Sequence, residues 1–255
     1  MSGMLQDKIA IITGAGRGLG KAFALRYAEE GAKLLLPDIG LERSEQTAAE
    51  IRDKGGQAIA MRADISIPED TQAIAAEAQR LYGGADILLN NAAIYYGLEM
   101  KDWDGFSKED FDTIFAVNVT GTYLVCKAVA PLMIARGKGK IINVASDAFK
   151  GAAACHLMPY SSSKAAVYAM TQGLARGLGP HGINVNSLAP GFTATEASLG
   201  MIGDDSHFDM TIGNSCLKRR EEPEDLVGAA VFLASKDSDF ITGQYIVVNG
   251  GSVLV

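Results

Sequence analysis

Tyr160 and Lys164 stand four residues apart in "MPYSSSKAAVYAM" (158–170), just after a proline and at the start of a run with helical spacing. On a helix, residues four apart lie one turn apart on one face. A phenol and an ammonium so placed form a candidate acid–base pair. A free phenol has a pKa of about 10, too high for a base at neutral pH, and a nearby ammonium stabilises the phenolate and lowers that value. A shift of two or three units asks for about 3–4 kcal/mol of local field. The same spacing also suits a solvated helix face, so the pair gains meaning only from what the rest of the chain supplies.

A second group with chemical consequences lies near the N-terminus. "IAIITGAGRGLGKAFA" reads as a strand, a tight glycine turn and a helix. Gly14, Gly18 and Gly20 suit a turn that needs positive φ, close approach of the backbone to a pyrophosphate, and tight packing of helix on strand. The helix N-terminus offers free N–H groups and the positive end of its dipole to phosphates. Such a turn alone is a weak signal; a strand before it, a helix after it and an acid closing the next strand strengthen it. That acid is Asp38 in "LLLPDIG", about 20 residues on, where a carboxylate accepts hydrogen bonds from an adenosine ribose and repels a 2′-phosphate. Asp38 therefore favours NAD over NADP. Arg17, inside the turn, pulls the other way because a guanidinium can grip a 2′-phosphate.

The elements that must position these groups follow from periodicity. Short apolar runs at 9–13, 33–38, 58–64, 85–91, 139–146, 183–190 and 245–251 read as strands. Between them, amphipathic runs read as helices: 20–30, 41–54 (Leu41, Ala48 and Ile51 on one side), 69–82, Ser107 to Arg136, 160–179 and 223–235. Alternation of nearly continuous apolar strands with helices is the pattern of a parallel sheet covered on both faces, an α/β doubly wound fold. No proline- or serine-rich linker divides the chain, so residues 1–255 are expected to form one domain. The stretch 192–220 breaks the rhythm with glycines, aspartates and scattered large apolar residues, and is a candidate substrate lid.

The 255 residues are 48% hydrophobic, enough for a large core, and carry a net charge of −7, which argues against nucleic acid or an anionic membrane as partner. No run of about 18 apolar residues occurs. Cys126, Cys155 and Cys216 are widely spaced and form neither a metal pattern nor a disulfide framework. "MSGMLQDKIAIITG" lacks a basic region and cleavage site and leads straight into a strand. A cytoplasmic location is expected, with no bound metal.

With "TGAGRGLG", "NNAA" at 90–93, "NVTG" at 118–121, Ser146, "YSSSK" at 160–164, "PGFTAT" at 190–195 and "ITGQYIVVNGG" at 241–251, the chain resembles the short-chain dehydrogenase/reductase family over essentially its whole length. The resemblance implies a Rossmann-type sheet of seven parallel strands and an NAD-dependent enzyme that interconverts a secondary alcohol and a ketone. It implies that Asn118, Ser146, Tyr160 and Lys164 are catalytic. Tyr160 would take the alcohol proton, Ser146 would bond the substrate oxygen, and Asn118 would hold a water linking Lys164 to solvent. It also implies cofactor contacts at Gly14, Arg17, Gly18, Leu19, Gly20, Asp38, Asp64, Ile65, Asn91, Ala92, Tyr160, Lys164, Pro190, Gly191, Thr193 and Thr195. Asp64 would bond the adenine amino group, Ile65 would lie against the ring, and Thr193 and Thr195 would hold the nicotinamide carboxamide. A homotetramer is implied as well. The alternatives are an NADPH-dependent carbonyl or acyl-thioester reductase, against which Asp38 speaks, and a catalytically silent nucleotide-binding regulator, against which Ser146, Tyr160 and Lys164 speak.

The chain departs from the family pattern in places. Ala93 ends "NNAA" where glycine is usual, Pro37 precedes Asp38, and Asn249 replaces a common aspartate. Asp147 stands beside Ser146. Around the substrate, Ser146 and Tyr160 are joined by Tyr95, Tyr96, Phe149, Met158 and Phe192, with Leu157, Met201, Phe208 and Met210 nearby. These suggest an apolar pocket for a hydrophobic aromatic or alicyclic alcohol, with His156 and His207 as possible polar anchors.

Overall fold

The structure, a computed structural model, describes residues 3–95, 97–202 and 206–254. Tyr96 lies outside the described residues, as do the side chains of Met201 and His207. Seven parallel strands form one sheet in the order β3-β2-β1-β4-β5-β6-β7. They are β1 (Ile9–Thr13), β2 (Lys33–Asp38), β3 (Gln57–Arg62), β4 (Ile87–Asn90), β5 (Gly139–Val144), β6 (Ile183–Pro190) and β7 (Tyr245–Val248). The chain winds outward from β1 to β3, then returns to place β4 on the other side of β1, with Thr13 paired to Asn90. That reversal opens a crevice beyond the carboxyl ends of β1 and β4, where ligands bind in open α/β sheets.

The helices are α1 (Gly18–Glu29), α2 (Leu41–Asp53), α3 (Pro68–Tyr82), α4 (Lys108–Phe115), α5 (Thr122–Arg136), α6 (Met158–Leu178), α7 (Glu196–Ile202), α8 (Ser206–Asn214) and α9 (Pro223–Ala234). Each long helix starts or stops on a local signal. Pro68 opens α3 with Glu69 and Asp70 in its first turn, and Gly83 closes it at φ 74°. Ser107 and Asp110 form a reciprocal capping box at α4.

The β1 residues are all buried, and successive ones serve opposite faces of the sheet. Ile12, Leu34 and Leu36 pack with Phe23 and Tyr27 of α1 and Leu226 and Val231 of α9. On the other face, Ile11, Leu35 and Leu88 pack with Ile74 of α3 and Val125, Val129 and Met133 of α5. Each such side chain contributes about 1.5–3 kcal/mol through burial. Tyr27 brings a hydroxyl into the first core and satisfies it by donating to the Ala230 carbonyl at 2.9 Å.

The expected helix 107–136 is continuous but not uniform: Ala116–Gly121 between α4 and α5 is a π-helical turn. By length and composition Lys108–Arg136 is apolar enough to cross a bilayer. Its apolar side is accounted for by the core described above. β3, β4, β5 and β7 stop one to three residues before their expected ends. There the main chain leaves the ladder to build the loops around the crevice. β3 ends at Arg62 because Asp64 turns the chain: its N–H donates to Asp70 Oδ2 at 2.8 Å, and its Oδ1 accepts from the Ser66 N–H and hydroxyl.

Candidate active site

One cavity of about 650 Å³ runs along the carboxyl ends of the strands. At one end lie Gly14, Arg17, Gly18, Leu19 and Gly20, at the middle Asn91 and Ala92, and at the other end Ser146, Tyr160 and Lys164. Asp38, Asp64, Ile65, Tyr95, Pro190, Gly191, Phe192, Thr193 and Thr195 also line it.

The glycine turn has the shape a dinucleotide needs. Gly14 and Gly18 have φ of 67° and 53°. A Cβ on Gly14 would meet Ala92 Cα at 2.8 Å, and one on Gly20 would lie 2.0 Å from the Gly14 carbonyl oxygen. Arg17 precedes α1 in extended conformation, and no side chain caps the first turn of that helix. Its N–H groups are thus available to an anion. Asn91 fastens the turn to β4, with its side-chain amide donating to the carbonyls of Thr13 and Gly14. Asp38 is buried at the end of β2. Its Oδ2 accepts from the Gly16 N–H at 2.9 Å, and its Oδ1 accepts from the Gly40 N–H at 2.8 Å and from Arg43 Nη2 at 3.3 Å. Pro37 stays in register with Met61 of β3 and its carbonyl accepts from the Gly14 N–H, so its missing donor falls on the β1 side, where the ladder between β1 and β2 ends at Leu35. A nicotinamide dinucleotide fits this donor set and these glycine clearances.

At the other end, α6 brings Tyr160 and Lys164 to the cavity on one face, as their spacing predicts. Lys164 Nζ donates to the Val144 carbonyl at 2.7 Å and lies 5.7 Å from the centroid of the Tyr160 ring. Burial lowers the Lys164 pKa to about 8. Burial also pushes the Tyr160 phenol above its ordinary value, Tyr95 and Asp147 add to the rise, and the Ser146 hydroxyl offsets part of it. The expected depression of the phenol is therefore absent in the bare protein: desolvation dominates, and Ser146 rather than Lys164 supplies the opposing effect. The Tyr95 ring packs on that of Tyr160 with centroids 5.0 Å apart. Ser146 is held by the Ala148 N–H, which donates to its Oγ, and by Tyr245, whose hydroxyl donates to its carbonyl at 2.7 Å.

Asn118 does not line the cavity. It sits behind it in the π-helical turn, where Oδ1 accepts from the Ile94 N–H at 2.7 Å and Nδ2 donates to the Ile94 carbonyl and Ser163 Oγ. Its amide ties the helix to the loop after β4. Phe149 and Met158 are also outside the cavity wall. Phe149 stacks on Tyr168 and packs against Tyr245, with centroids 6.4 and 5.6 Å apart, because the short helical turn at Ala148–Lys150 swings it over α6. Leu157, one residue before Met158, lines the cavity instead. Phe208 is buried against Phe192 and not on the cavity surface, whereas Met210 is on it. His156 is exposed and its Nδ1 lies 3.3 Å from the Lys101 carbonyl.

Two features escape sequence reasoning, and a residue already singled out, Asp147, gains its partners only in the fold. A buried polar ladder crosses the sheet, Asn90 donating to Asn143 Oδ1 at 2.8 Å and Asn143 donating to Thr171 Oγ1 at 2.9 Å; asparagines inside "ILLNN" and "KIINVAS" were its only signal. Glu221, one residue past the candidate lid, accepts from Thr193 Oγ1 at 2.6 Å and from the Gly191 N–H. Burial raises its carboxyl to about 7, with Asp147 and Asp225 adding to the rise and the two hydrogen bonds opposing it. Asp147, beside Ser146, accepts from Asn249 Nδ2 at 2.9 Å and Ser252 Oγ at 3.2 Å. The stretch 192–220 carries α7, capped by Thr195 accepting from the Ser198 N–H, and α8, and it contributes Ala197, Ser198, Met210, Thr211 and Asn214 to the wall.

Comparison with known proteins agrees with this arrangement. The family described as enoyl-(acyl carrier protein) reductase matches residues 14–252. The chain is 39% identical to a galactitol 2-dehydrogenase of Agrobacterium fabrum, over 97% of its own length and 98% of the relative's. It is 38% identical to a sorbitol dehydrogenase of Cereibacter sphaeroides, again over 97% and 98%. Its fold superposes with a TM-score of 0.91 on a crystal structure of a gluconate 5-dehydrogenase from Burkholderia cenocepacia in complex with NADP and tartrate. That protein is 36% identical, and the match covers 97% of this chain and 96% of the other.

Proposed function

The chain belongs to the short-chain dehydrogenase/reductase family, and from that premise we propose that it is an NAD-linked oxidoreductase interconverting a secondary alcohol and a ketone. The observation that carries the proposal is the convergence of Ser146, Tyr160 and Lys164 on the cavity that Gly14, Gly18 and Asp38 also line. When bound, the nicotinamide cofactor supplies the hydride acceptor or donor, and in its oxidised form a positive charge. Gly14, Leu19 and Gly20 would hold its phosphates, Asp38 its adenosine ribose, Asp64 and Ile65 its adenine, and Thr193 and Thr195 its carboxamide. Ser146 donates a hydrogen bond to the reacting oxygen. Tyr160 exchanges the alcohol proton, and Lys164, fixed to the Val144 carbonyl, lends its charge through the ring it faces. Asn118 acts through the Ile94 loop and Ser163, holding α6 in register with the cofactor groove.

Ile94, Tyr95, Met100, Leu157, Phe192 and Met210 give one wall of the cavity an apolar face, which supports a hydrophobic aromatic or alicyclic carbon skeleton. The same cavity is also lined by the polar Ser146, Asp147, Ser198 and Asn214, and two relatives are named for galactitol and sorbitol, which supports a skeleton bearing further hydroxyls. Residues 192–220 serve as the lid of this single domain. No disulfide joins Cys126, Cys155 and Cys216, which supports a cytoplasmic location, and the exposed Phe240 and Leu254 support self-association to the tetramer the resemblance implies.

A second reading, an NADP-linked carbonyl reductase, is favoured by Arg43, whose guanidinium lines the cavity 3.3 Å from Asp38. Initial rates with NAD and NADP on one alcohol panel separate the two. Faster turnover with NADP overturns the NAD assignment. Tyr160→Phe is expected to abolish turnover while preserving NADH binding measured by fluorescence; persistent activity refutes the proton-transfer role.

A further inference from the structure

We infer that Asp147 selects the substrate by accepting a hydrogen bond from a second hydroxyl near the reacting carbinol, so that vicinal diols and polyols are preferred to isolated secondary alcohols. The inference rests on the dehydrogenase reading above and names the substrate class of the same site.

Position is the first reason. Asp147 follows Ser146 directly and lines the same cavity. Consecutive Cα atoms are about 3.8 Å apart, a span comparable to that between oxygens on neighbouring carbons once the two side chains converge on one ligand. The second reason is orientation. The hydrogen bonds from other side chains, Asn249 and Ser252, both engage Oδ2, and the residue's own N–H also reaches the carboxylate; a carboxylate offers about four acceptor sites, so capacity for a further donor remains. Asn249 is itself fixed, donating also to the Val253 carbonyl and accepting from the Gly251 N–H. The carboxylate is thus clamped from the side of the C-terminal segment.

The third reason is cost. Asp147 is 7% exposed and forms no ion pair among the described residues. Lys150, the cation nearest in sequence, lies over the rings of Phe149 and Tyr245. Burial raises the Asp147 carboxyl above its ordinary value, the bonds from Asn249 and Ser252 offset part of the rise, and its charge opposes ionisation of Tyr160. Tyr95, Tyr245 and Glu221 face it as well, and none supplies positive charge. A merely structural clamp needs only a neutral acceptor at Oδ2, which asparagine provides without these penalties. An acid placed here answers to a donor that arrives with the ligand, and a hydroxyl donating to a carboxylate makes one of the stronger hydrogen bonds available. A substrate with two neighbouring hydroxyls gives one to Ser146 and Tyr160 and the other to Asp147.

Two matched pairs test this with NAD as co-substrate: butane-2,3-diol against butan-2-ol, and trans-cyclohexane-1,2-diol against cyclohexanol. Wild-type kcat/KM is expected to favour the diol of each pair by 10-fold or more, in line with the value of a hydrogen bond to a charged group. In Asp147→Asn the amide oxygen still accepts from Asn249 and Ser252, so the clamp survives while the charge is gone. That variant is expected to reduce the diol preference to below 3-fold, and to move the pH–rate profile for alcohol oxidation toward lower pH because Tyr160 loses an opposing charge. Thermal melting and NADH binding confirm that the variant is folded. Equal wild-type rates within each pair, or a diol preference that Asp147→Asn leaves intact, overturn the inference and leave the dehydrogenase reading standing. Failure to reduce NAD with all four alcohols overturns both.

Discussion

Replacing Glu221 by glutamine should make the protein more stable, and increasingly so as pH rises. The carboxyl of Glu221 is raised from 4.5 to about 7, chiefly by burial. A carboxyl with a raised folded-state pKa binds its proton more tightly in the native state than in the unfolded chain. Its favourable contribution is complete below pH 4.5 and is lost as pH rises through about 7. A shift of that size makes ionisation in the folded protein cost about 3 kcal/mol. Glutamine keeps an oxygen for Thr193 Oγ1 and the Gly191 N–H, and the extra strength of their bonds to a carboxylate is already contained in the shift. The net gain is then about 3 kcal/mol near pH 9 and under about 1 kcal/mol near pH 5. In a chain of this length about 3 kcal/mol corresponds to about 6–12 °C in Tm. Differential scanning fluorimetry of both proteins from pH 5 to pH 9 reads the effect, since every other titrating group is common to the two. Asp147 and Asp225 face Glu221, and losing its charge relieves them as well, which acts in the same direction. Parallel Tm curves would refute the reasoning, and a variant that loses ground at high pH would reverse it.

Two further perturbations address the nucleotide end. Gly20→Ala places a Cβ 2.0 Å from the Gly14 carbonyl oxygen and 2.5 Å from Asn91 Nδ2. Titration of NADH fluorescence should show at least a 100-fold loss of affinity, and near-native binding would mean that the turn is not the phosphate cradle. Asp38→Ser removes the carboxylate that holds the Gly16 and Gly40 N–H groups and leaves Arg43 without its anion. kcat/KM should fall 10-fold or more with NAD and rise with NADP; an unchanged ratio would separate Asp38 from cofactor choice.

Much of this architecture was legible because the signals are local and repeated. "IAIIT" and "KLLLPD" read as buried strands because central parallel strands are apolar on both faces, and β1 and β2 keep their expected bounds. Tyr160 and Lys164 were legible because helical spacing fixes their relation whatever surrounds them. The less legible parts are those set by chain segments far apart in sequence. Nothing near Phe149 in sequence announces Tyr168 and Tyr245, the rings that draw it away from the cavity. Asn118 reads as polar in an otherwise helical run, and only the fold shows that its amide is spent on the Ile94 main chain. Glu221 lies at the edge of an irregular stretch, and its burial depends on Thr193 and Gly191, about 30 residues earlier. The strand ends differ for a related reason: past Arg62, Asn90, Val144 and Val248 the chain leaves the ladder through Ala63, Asn91, Ala145 and Asn249 to form the loops of the crevice, and local composition does not mark where pairing stops.

The charges around Tyr160 bear on which direction of reaction the resting site favours. The Lys164 ammonium is held to the Val144 carbonyl and meets the tyrosine across its ring, 5.7 Å from the centroid. Against its charge stand the desolvation of a buried phenolate and the nearby Asp147 carboxyl, and together they leave the phenol above its ordinary pKa. Burial also brings Lys164 down to about 8, so its own charge fades at lower pH than that at which the raised phenol would ionise. The bare site thus keeps the proton on Tyr160, ready for delivery to a ketone oxygen, and needs further positive potential before it can take one from an alcohol. Asp147 then acts on both halves of the problem. Unpaired, it opposes the phenolate; with a neighbouring substrate hydroxyl donating to it, part of its field is spent on that bond. A substrate carrying the second hydroxyl would therefore be both better held and more readily deprotonated than one lacking it, and because the solution equilibrium is untouched, Asp147→Asn should lower kcat/KM for the diol in oxidation and for the matching hydroxyketone in reduction by the same factor.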